Sequence, residues 1–220
     1  MAELRFFYGT MGSGKSTLAL QIHHNLTRAG QHGLLITQLD RVEAAISSRL
    51  GVAQPAIEVD EDVDLAALVL DVISEMGRVD YVIGDEAQFY APEQVEQLAD
   101  LTDDHNVEVY AFGLLTDFRG RLFPASARFM ELADTRHEMH IEARCWCGRP
   151  ATHNARLFGG RQVYEGETVL VGDIDEACEV TYELRCRRHW RNGQGAARGQ
   201  VDLRDTARAA ADAPATAHRA

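Results

Sequence analysis

The fold is decided by residues 9–16, Gly9-Thr10-Met11-Gly12-Ser13-Gly14-Lys15-Ser16, which match the pattern G-x-x-x-x-G-K-[ST] at every position. The apolar run Leu4–Tyr8 before this stretch predicts a short buried strand, and residues 16–22 after it predict the start of a helix. Such a loop binds anions because its backbone N–H groups point inward and the helix N-terminus adds partial positive charge. The alternative is a glycine-rich turn that matches by chance, and the flanking strand and helix argue against it.

The loop predicts a nucleoside triphosphate site. Lys15 is expected to reach the β- and γ-phosphates, and the hydroxyl of Ser16 is expected to bind Mg²⁺. The remaining loop residues are expected to surround the phosphates: Gly9, Thr10, Met11, Gly12, Ser13 and Gly14. The open question at this point is what the protein does with the triphosphate.

The composition is that of an ordinary globular protein, with 45% hydrophobic and 25% charged residues in a chain of 220. This length allows one domain with a good core, or one domain plus a small appendage. The chain has no apolar run of membrane-spanning length and no signal-like N-terminus, so a cytoplasmic location is expected. The formal net charge of −12 argues against a large nucleic-acid-binding surface and leaves room for a small anionic ligand.

Strands and helices are predicted to alternate over the first 140 residues. Beyond the first strand and helix, the predicted strands are 33–39, 79–84 and 107–114. The predicted helices are 41–50, 62–76, 92–102 and 125–132. This alternation indicates an α/β fold, with a parallel sheet covered by helices on both faces and a phosphate-binding loop at about residues 1–140.

The composition and the hydrophobic periodicity of the sequence change after residue 140. Residues 141–190 are rich in Cys, Gly and Arg with short β-like runs, and this small unit needs a staple because it cannot build a sufficient core. Residues 191–220 contain almost no large apolar side chains and predict a disordered tail. A helical extension is the alternative for this tail, since alanine is a good helix former.

The acidic pair Asp85-Glu86 directly follows the predicted strand 79–84. An acidic residue at the end of a hydrophobic strand holds Mg²⁺ in proteins with this loop, and Asp85 fills that position. Glu86 stands one residue further on, where a carboxylate can accept a proton from an attacking hydroxyl. With water as the nucleophile the protein is an NTPase, and with an alcohol it is a kinase. The alternative is an acidic pair in a surface loop, which is common in so acidic a chain.

Three of the four cysteines are grouped with a histidine, in Cys145-Trp146-Cys147 and Cys186-Arg187-Arg188-His189. Two such knuckles separated by a loop supply the three thiolates and one imidazole of a closed tetrahedral zinc site. The C-x-C spacing differs from the usual C-x-x-C, whereas the C-x-x-H spacing is ordinary. The alternative is three buried free cysteines and a surface histidine. Cys178 stands apart and is interpreted as a packing or exposed thiol.

Six separated blocks follow one another in an order typical of a single enzyme family. They are Gly9–Thr17; Asp40-Arg41 followed by Ser47–Gly51; Asp85–Phe89; Gly113–Phe123; Cys145-x-Cys147-Gly148-Arg149-x-Ala151; and Tyr182-x-x-x-Cys186-Arg187-x-His189. On these blocks the chain resembles the type II thymidine kinases, the cytosolic and bacterial branch, from about residue 4 to 190. The C-x-C pair resembles that of bacterial members.

The resemblance implies transfer of the γ-phosphate of ATP to the 5′-hydroxyl of thymidine or deoxyuridine. It implies that Glu86 is the general base, acting with Lys15 at the transferred phosphate. It implies magnesium ligands at Ser16, Asp85 and Asp40, and adds Asp85 and Gln88 to the ATP-binding residues.

The family holds the thymine in a loop called the lasso, which is tied at its root by zinc. Here the lasso corresponds to residues 148–185, and zinc to Cys145, Cys147, Cys186 and His189. The matching positions of the nucleoside pocket are Met11, Phe89, Leu114, Phe118, Phe123 and Tyr182. Core packing is the alternative for the aromatic side chains among them. The chain departs from the family at 171–173, which read Val-Gly-Asp instead of Val-Gly-Gly, and carries extra residues at 174–181.

The resemblance also implies a homotetramer and inhibition by thymidine triphosphate (dTTP). The main rival interpretation is a nucleic-acid-stimulated ATPase, with residues 85–88 as a helicase-type box and the zinc unit as a DNA-binding ribbon. The length of 220 residues and the acidic balance argue against it. A second rival is a regulatory nucleotide-binding module, which would not need the base that Glu86 supplies. We therefore expect no nucleic-acid and no membrane partner.

Overall fold

The structure, a computed structural model, describes residues 1–38, 45–48, 51–139, 143–166, 168 and 180–195. The strands are β1 (Leu4–Tyr8), β2 (Gly33–Thr37), β3 (Ala45–Ser47), β4 (Ala53–Pro55), β5 (Ile57–Glu58), β6 (Tyr81–Asp85), β7 (Glu108–Gly113), β8 (Thr135–Glu138), β9 (His153–Phe158), β10 (Arg161–Val163) and β11 (Val180–Arg185). The helices are α1 (Lys15–Arg28), α2 (Leu65–Met76), α3 (Pro92–His105), α4 (Pro124–Leu132) and α5 (Arg187–Arg191), and a 3₁₀ turn spans Ala87–Phe89.

The central sheet has six strands in the order β5-β2-β6-β7-β1-β8, and every neighbouring pair is parallel. All five residues of β6 are buried, which is expected of a central strand in a sheet that is covered on both faces. Because β1 and β6 both end at the same edge of the sheet, the phosphate-binding loop after β1 meets the acidic pair at the end of β6. The predicted parallel α/β sheet is confirmed.

Helices pack on both faces of this sheet. On one face, Ala19 and Leu20 of α1 join a core cluster with Leu35, Ile83 and Phe112. The opposite face of the sheet is covered by buried side chains of α2, α3 and α4: Leu65, Val69, Val95, Leu98, Leu101 and Phe129. The apolar residues of α1 thereby anchor the helix that follows the loop to one face of the sheet.

The predicted helix at 41–50 is wrong where the structure describes it. Residues 45–47 form β3, which pairs antiparallel with β4. Ile46 is only 1% exposed and packs in the α1-side cluster, so burial of this side chain outweighs the helical composition of the segment. The turn closes through Ser48, whose N–H donates to Val52 O at 2.8 Å. Residues 41–44 and 49–50 lie outside the described residues.

The edge strand β8 was not predicted from the sequence. Its residues read Thr-Arg-His-Glu and are half-buried or exposed, so they lack the apolar run that predicts a strand. The strand forms because β1 offers it a free edge, with Arg5 opposite Thr135 and Tyr8 opposite Glu138. It extends the sheet to the point where the second unit begins.

The second unit contains a three-stranded antiparallel sheet, β10-β9-β11, followed by the short helix α5. We call residues 143–195 the cysteine unit. The predicted division of the chain at residue 140 stays a prediction, since residues 140–142 lie outside the described ranges, as do residues 196–220 of the predicted tail. Within the described ranges, the longest helices have 14 residues and none is long and apolar enough to cross a membrane.

Candidate active site and metal centre

The loop between β1 and α1 has the shape of a phosphate cradle. Gly12 and Gly14 adopt left-handed backbone angles, with φ of 72° and 79°, that other residues rarely take. Ser13 N–H donates to Thr10 O at 3.2 Å, which closes the loop, and α1 begins directly at Lys15. The buried Lys15 donates from Nζ to Thr10 O at 3.1 Å, so its ammonium group lies under the loop. The sequence motif and the structure therefore agree on an anion site at the N-terminus of α1.

Asp85 lies beside this loop at the end of β6 and is only 4% exposed. Its carboxylate accepts a hydrogen bond from the Ser16 side chain, and its Oδ1 has no hydrogen-bond partner among the described residues. Burial, helped by the neighbouring charge of Glu86, raises the pKa of Asp85 to about 6, against the opposing effects of Ser16 and Lys15. A buried carboxylate oxygen without a partner, next to a serine hydroxyl, fits a divalent cation.

Glu86 follows in a strained conformation, with φ of 52° at a residue that is not glycine. Its Oε2 accepts a hydrogen bond from Gln88 Nε2 at 2.5 Å. Gln88 is 1% exposed, and its Oε1 accepts from Leu114 N–H at 2.8 Å. The amide of Gln88 thus ties the Glu86 carboxylate to the end of β7. Strained residues of this kind cluster at active sites because the surrounding structure must impose them.

The predicted role of Gln88 at the ATP phosphates stays a prediction. Both ends of its side-chain amide are engaged by protein groups, Glu86 on one side and Leu114 on the other. In this geometry Gln88 orients Glu86.

The six predicted pocket positions are brought together in part. Phe89 and Phe123 make an edge-to-face contact, with ring centroids 5.7 Å apart. Phe118 and Tyr182 are joined through Arg156, whose guanidinium lies 3.8 Å from the Phe118 ring centroid and whose Nε donates to Tyr182 Oη at 2.9 Å. Phe118 and Phe123 are buried, whereas Tyr182 is exposed.

The two remaining pocket positions are Met11, in the phosphate-binding loop, and Leu114, directly after β7. Met11 lies in the phosphate-binding loop and donates its N–H to Asn154 Oδ1 at 3.0 Å. Leu114 lies directly after β7 and donates its N–H to Gln88. The pocket role of all six positions stays a prediction.

Sequence reasoning missed Asn154 and Arg156, which both lie on β9 and are buried. They connect the cysteine unit to the loop and to Phe118, and these contacts join residues 143 and 38 positions apart in the chain. No local pattern marks such residues, because their roles depend on tertiary contacts.

The predicted metal ligands converge at the root of the cysteine unit. The ligand atoms of Cys145, Cys147, Cys186 and His189 all lie within 4.8 Å of one another. Cys145 Sγ is 3.3 Å from His189 Nδ1, Cys186 Sγ is 3.6 Å from the same nitrogen, and the Sγ atoms of Cys147 and Cys186 are 3.9 Å apart. Tetrahedral zinc with ordinary bond lengths places its ligand atoms about 3.5–3.8 Å apart. The cluster could therefore hold a metal ion such as zinc.

Local structure explains why these four side chains meet. A tight turn forms the first knuckle, where Gly148 N–H donates to Cys145 O at 2.8 Å and Cys145 N–H to Arg149 O at 2.9 Å. The second knuckle is the start of α5, which Cys186 caps directly after β11. Three further predicted features lie outside the described residues: Asp40, Cys178 and the 171–173 departure.

Comparison with known proteins decides the family. The family model described as thymidine kinase matches residues 2–190. The chain belongs to the thymidine kinase family. This confirms the resemblance based on the six blocks, and nothing in the comparisons favours the rival ATPase acting on nucleic acid.

Several bacterial members of the thymidine kinase family are similar along nearly their whole length. The thymidine kinase of Streptomyces coelicolor is 53% identical over 216 residues, covering 97% of this chain and 96% of that protein. Those of Streptomyces avermitilis and Cutibacterium acnes are 54% and 50% identical, covering 87% and 88% of this chain and 89% and 90% of their own lengths. Among solved structures, a Pif1 helicase from Candida albicans matches 63% of this chain and 36% of its own, with a TM-score of 0.37 and 14% identity, a likeness too low to carry an argument.

Proposed function

We propose that this protein transfers the γ-phosphate of ATP to the 5′-hydroxyl of thymidine, and of deoxyuridine, giving dTMP for the salvage of DNA precursors. The observation that carries the proposal is the Glu86 carboxylate, which Gln88 holds beside Asp85 at the mouth of the phosphate-binding loop. A nucleotide-binding module without catalysis has no need of a strained and oriented carboxylate at this point. Membership of the thymidine kinase family supports thymidine as the acceptor.

The loop and Lys15 bind the triphosphate. Backbone N–H groups of the loop other than those of Gly9, Met11 and Ser13, which donate to protein oxygens, would face the phosphates. Lys15 would move from Thr10 O to the β- and γ-phosphate oxygens when the nucleotide binds. Ser16 and Asp85 hold Mg²⁺, with Asp40 as a further predicted ligand, and the ion when bound neutralises charge that develops on the phosphate oxygens. Lys15 supplies the same kind of stabilisation from the protein.

Glu86 accepts the proton of the 5′-hydroxyl as the oxygen of that hydroxyl attacks the γ-phosphorus. The bond between the γ-phosphorus and its bridging oxygen breaks, and ADP leaves with the bonding electrons. Gln88 keeps Oε2 of Glu86 from turning away, because it donates to that oxygen while Leu114 holds Gln88 in place. Proton transfer requires this orientation, since general-base catalysis works only within hydrogen-bond reach of the proton.

The cysteine unit closes over the nucleoside. We propose a structural zinc ion at Cys145, Cys147, Cys186 and His189, and a lasso at residues 148–185 that contacts the thymine mainly with backbone groups. The pocket walls are the six positions named above, from Met11 to Tyr182. The proximity of the four ligand atoms supports the metal, and the contacts of Arg156 with Phe118 and Tyr182 support a pocket shared by both units.

Kinship with the family suggests two further properties of the whole protein, and the sequence itself suggests its location and its division into domains. We propose a homotetramer, inhibition by dTTP and a cytoplasmic location, with residues 1–140 as the ATP-binding domain and 141–190 as the nucleoside-closing domain. A disordered tail is proposed within residues 191–220, after residues 191–195, where α5 ends at Arg191 and Gln194 N–H donates to His189 O. Analytical ultracentrifugation and a dTTP titration of the activity test the first two properties.

One assay separates the proposed kinase from its rivals. ATP turnover is measured with thymidine, with single-stranded DNA and with neither. We expect dTMP and ADP to form in equal amounts with thymidine alone, and Lys15→Ala to abolish the reaction. Stimulation by DNA without dTMP formation would favour the ATPase, and ATP binding without turnover in all three mixtures would favour a regulatory module.

A further inference from the structure

A tight loop of residues 1–139, which we call the ATP-binding unit, carries Phe118 towards the cysteine unit. We call residues Asp117–Arg121 the Phe118 loop. The buried Asp117 holds it from within, since Asp117 Oδ1 accepts the N–H groups of Arg119 and Arg121, both at 2.9 Å. Gly120 completes the turn with a left-handed φ of 73°. The backbone conformation of the Phe118 loop is therefore fixed by hydrogen bonds within the loop itself.

Trp190 contacts this loop from the metal-binding side of the cysteine unit. It follows the metal ligand His189 directly on α5, and its Nε1 donates to Phe118 O at 3.0 Å. The indole ring also lies close to Gly120, where a Cβ atom would come within 2.8 Å of the ring. The indole and the loop are in close contact, so a displacement of α5 that moves Trp190 must also move the loop or break the contact.

Arg156 contacts the same phenylalanine from β9 of the cysteine unit. Its guanidinium lies 3.8 Å from the centre of the Phe118 ring, and the arginine is only 3% exposed. The same group donates to Tyr182 Oη and, from Nη2, to Thr168 O at 2.9 Å. The side chain of Phe118 is thus fixed by β9, while its backbone carbonyl is fixed by α5.

We propose that Trp190 is a positioning residue for nucleoside binding, which couples the geometry of the Cys/His cluster to Phe118 in the wall of the pocket. Cys186 and His189 lie on the segment that begins α5, so a metal ion held by them would fix the backbone of Trp190, while the ring of His153 stacks on the indole with centroids 4.5 Å apart. The indole in turn fixes the Phe118 carbonyl. The metal then acts on both units, and its influence is not confined to the lasso. This inference rests on the proposed function for the identity of the ligand.

The two tryptophans of the chain provide a matched pair of substitutions. Trp146 also contacts His189, stacking on its ring with centroids 4.1 Å apart, but its Nε1 donates to Gln194 O at 3.4 Å, inside the cysteine unit. Trp190→Phe and Trp146→Phe therefore make the same chemical change at two tryptophans next to His189, one that follows it in α5 and one that stacks on its ring. Only the first removes a hydrogen bond to the ATP-binding unit.

We expect Trp190→Phe to raise the Kd for thymidine about 2- to 10-fold, the effect of one lost hydrogen bond, by titration calorimetry. The Kd for ATP and the zinc content should stay at wild-type values, and Trp146→Phe should change none of the three. An unchanged thymidine Kd in Trp190→Phe, or an equal rise in both variants, would overturn the inference.

A second measurement keeps the inference testable if Trp190→Phe fails to fold. Hydrogen exchange of the wild-type protein is followed before and after zinc is removed by a chelator. The amides of Arg119, Gly120 and Arg121 should lose protection, while those of β7 keep it. Unchanged protection of these three amides would overturn the coupling. If the wild-type protein does not phosphorylate thymidine, the proposed function fails on its own, and this exchange experiment still decides whether the Cys/His cluster is coupled to the Phe118 loop.

Discussion

Two adjacent carboxyl groups, Asp85 and Glu86, meet different surroundings at the end of β6. Asp85 is buried, bonded to Ser16 and shifted towards its neutral form, whereas Glu86 is half-buried and held by Gln88. Neighbouring groups with such different environments are suited to different tasks, one to a cation and the other to a proton. Both tasks lead to predictions that single substitutions test.

Glu86→Gln keeps the size and polarity of the side chain but removes its ability to accept the proton. We expect kcat for thymidine phosphorylation to fall by about 10²–10⁴, the usual value of general-base assistance, with the KM for ATP little changed. Steady-state kinetics at saturating thymidine measure this, with Glu93→Gln in the first turn of α3 as a control that should behave as wild type. An unchanged kcat would remove Glu86 from the role of base.

The raised pKa of Asp85 should make the free energy of unfolding depend on pH in the absence of Mg²⁺. Its pKa of about 6 in the folded protein lies above the ordinary value of 3.8, so the folded state binds the proton more tightly than the unfolded state does. The stabilisation is present below about pH 4 and is lost as the pH rises to about 6, and the shift corresponds to about 3 kcal/mol.

Asp85→Asn should remove this loss, so its free energy of unfolding should rise relative to wild type between pH 4 and pH 7. Urea unfolding of both proteins without Mg²⁺ measures the difference. Mg²⁺ should reduce the difference in the free energy of unfolding between Asp85→Asn and wild type at pH 7, because it stabilises the charged carboxylate of the wild type. A difference that does not vary with pH would contradict the assignment.

At the scale of elements, the carboxyl end of β7 sets the geometry of the base. Gly113 lies so close to Gln88 that a Cβ atom would be 3.0 Å from both its backbone nitrogen and its Oε1. The strand and the 3₁₀ turn after β6 are therefore packed through backbone contact. The position of Glu86 depends on this contact through Gln88.

Gly113→Ala should displace Gln88 by a few tenths of an ångström and so misplace the Glu86 carboxylate. We expect kcat to fall about tenfold while the KM for ATP is retained, because small misplacements of catalytic groups are costly. Circular dichroism should show an intact fold. Wild-type kcat in a folded Gly113→Ala protein would show that Gln88 does not set the base.

The sequence predicted those elements whose signal is local. The strand β6 begins with the apolar residues Tyr81, Val82 and Ile83, and the phosphate-binding loop is a contiguous motif, so both were predicted near their observed positions. Residues 135–138 have no apolar pattern and form a strand only because β1 offers an edge, while residues 45–47 are drawn into a hairpin by the burial of Ile46. The Trp190–Phe118 bond joins residues 72 positions apart, and no local rule anticipates it.

At the scale of the whole molecule, the two units depend on different sources of stability. The ATP-binding unit has large clusters on both faces of its sheet, whereas the cysteine unit has a three-stranded sheet and contributes only Cys145, Ala155 and Cys186 to the buried apolar residues that the structure describes. A metal site supplies folding free energy directly to a small unit of this kind. The units should therefore respond differently when the metal is lost.

Cys186→Ser should lower the zinc content from one ion per chain and weaken thymidine binding strongly. ATP binding and most of the secondary structure should remain, since the ATP-binding unit keeps its own core. Metal analysis, circular dichroism and separate titrations with ATP and thymidine measure these effects. Zinc-free wild-type protein, or normal thymidine affinity in the variant, would contradict the role of the metal.

The contact between Met11 and Asn154 has a consequence for how the two substrates bind. Asn154 lies on β9, opposite Leu184 of the strand that leads to Cys186, and its side chain holds an N–H group of the phosphate-binding loop. ATP bound at the phosphate-binding loop would order the Met11 side of this hydrogen bond, and thymidine bound at the cysteine unit would order the Asn154 side. Whichever substrate binds first therefore lowers the conformational entropy that is lost when the second one binds. By thermodynamic reciprocity, thymidine must then raise the affinity for ATP by the same factor by which ATP raises the affinity for thymidine. The two substrates should bind synergistically.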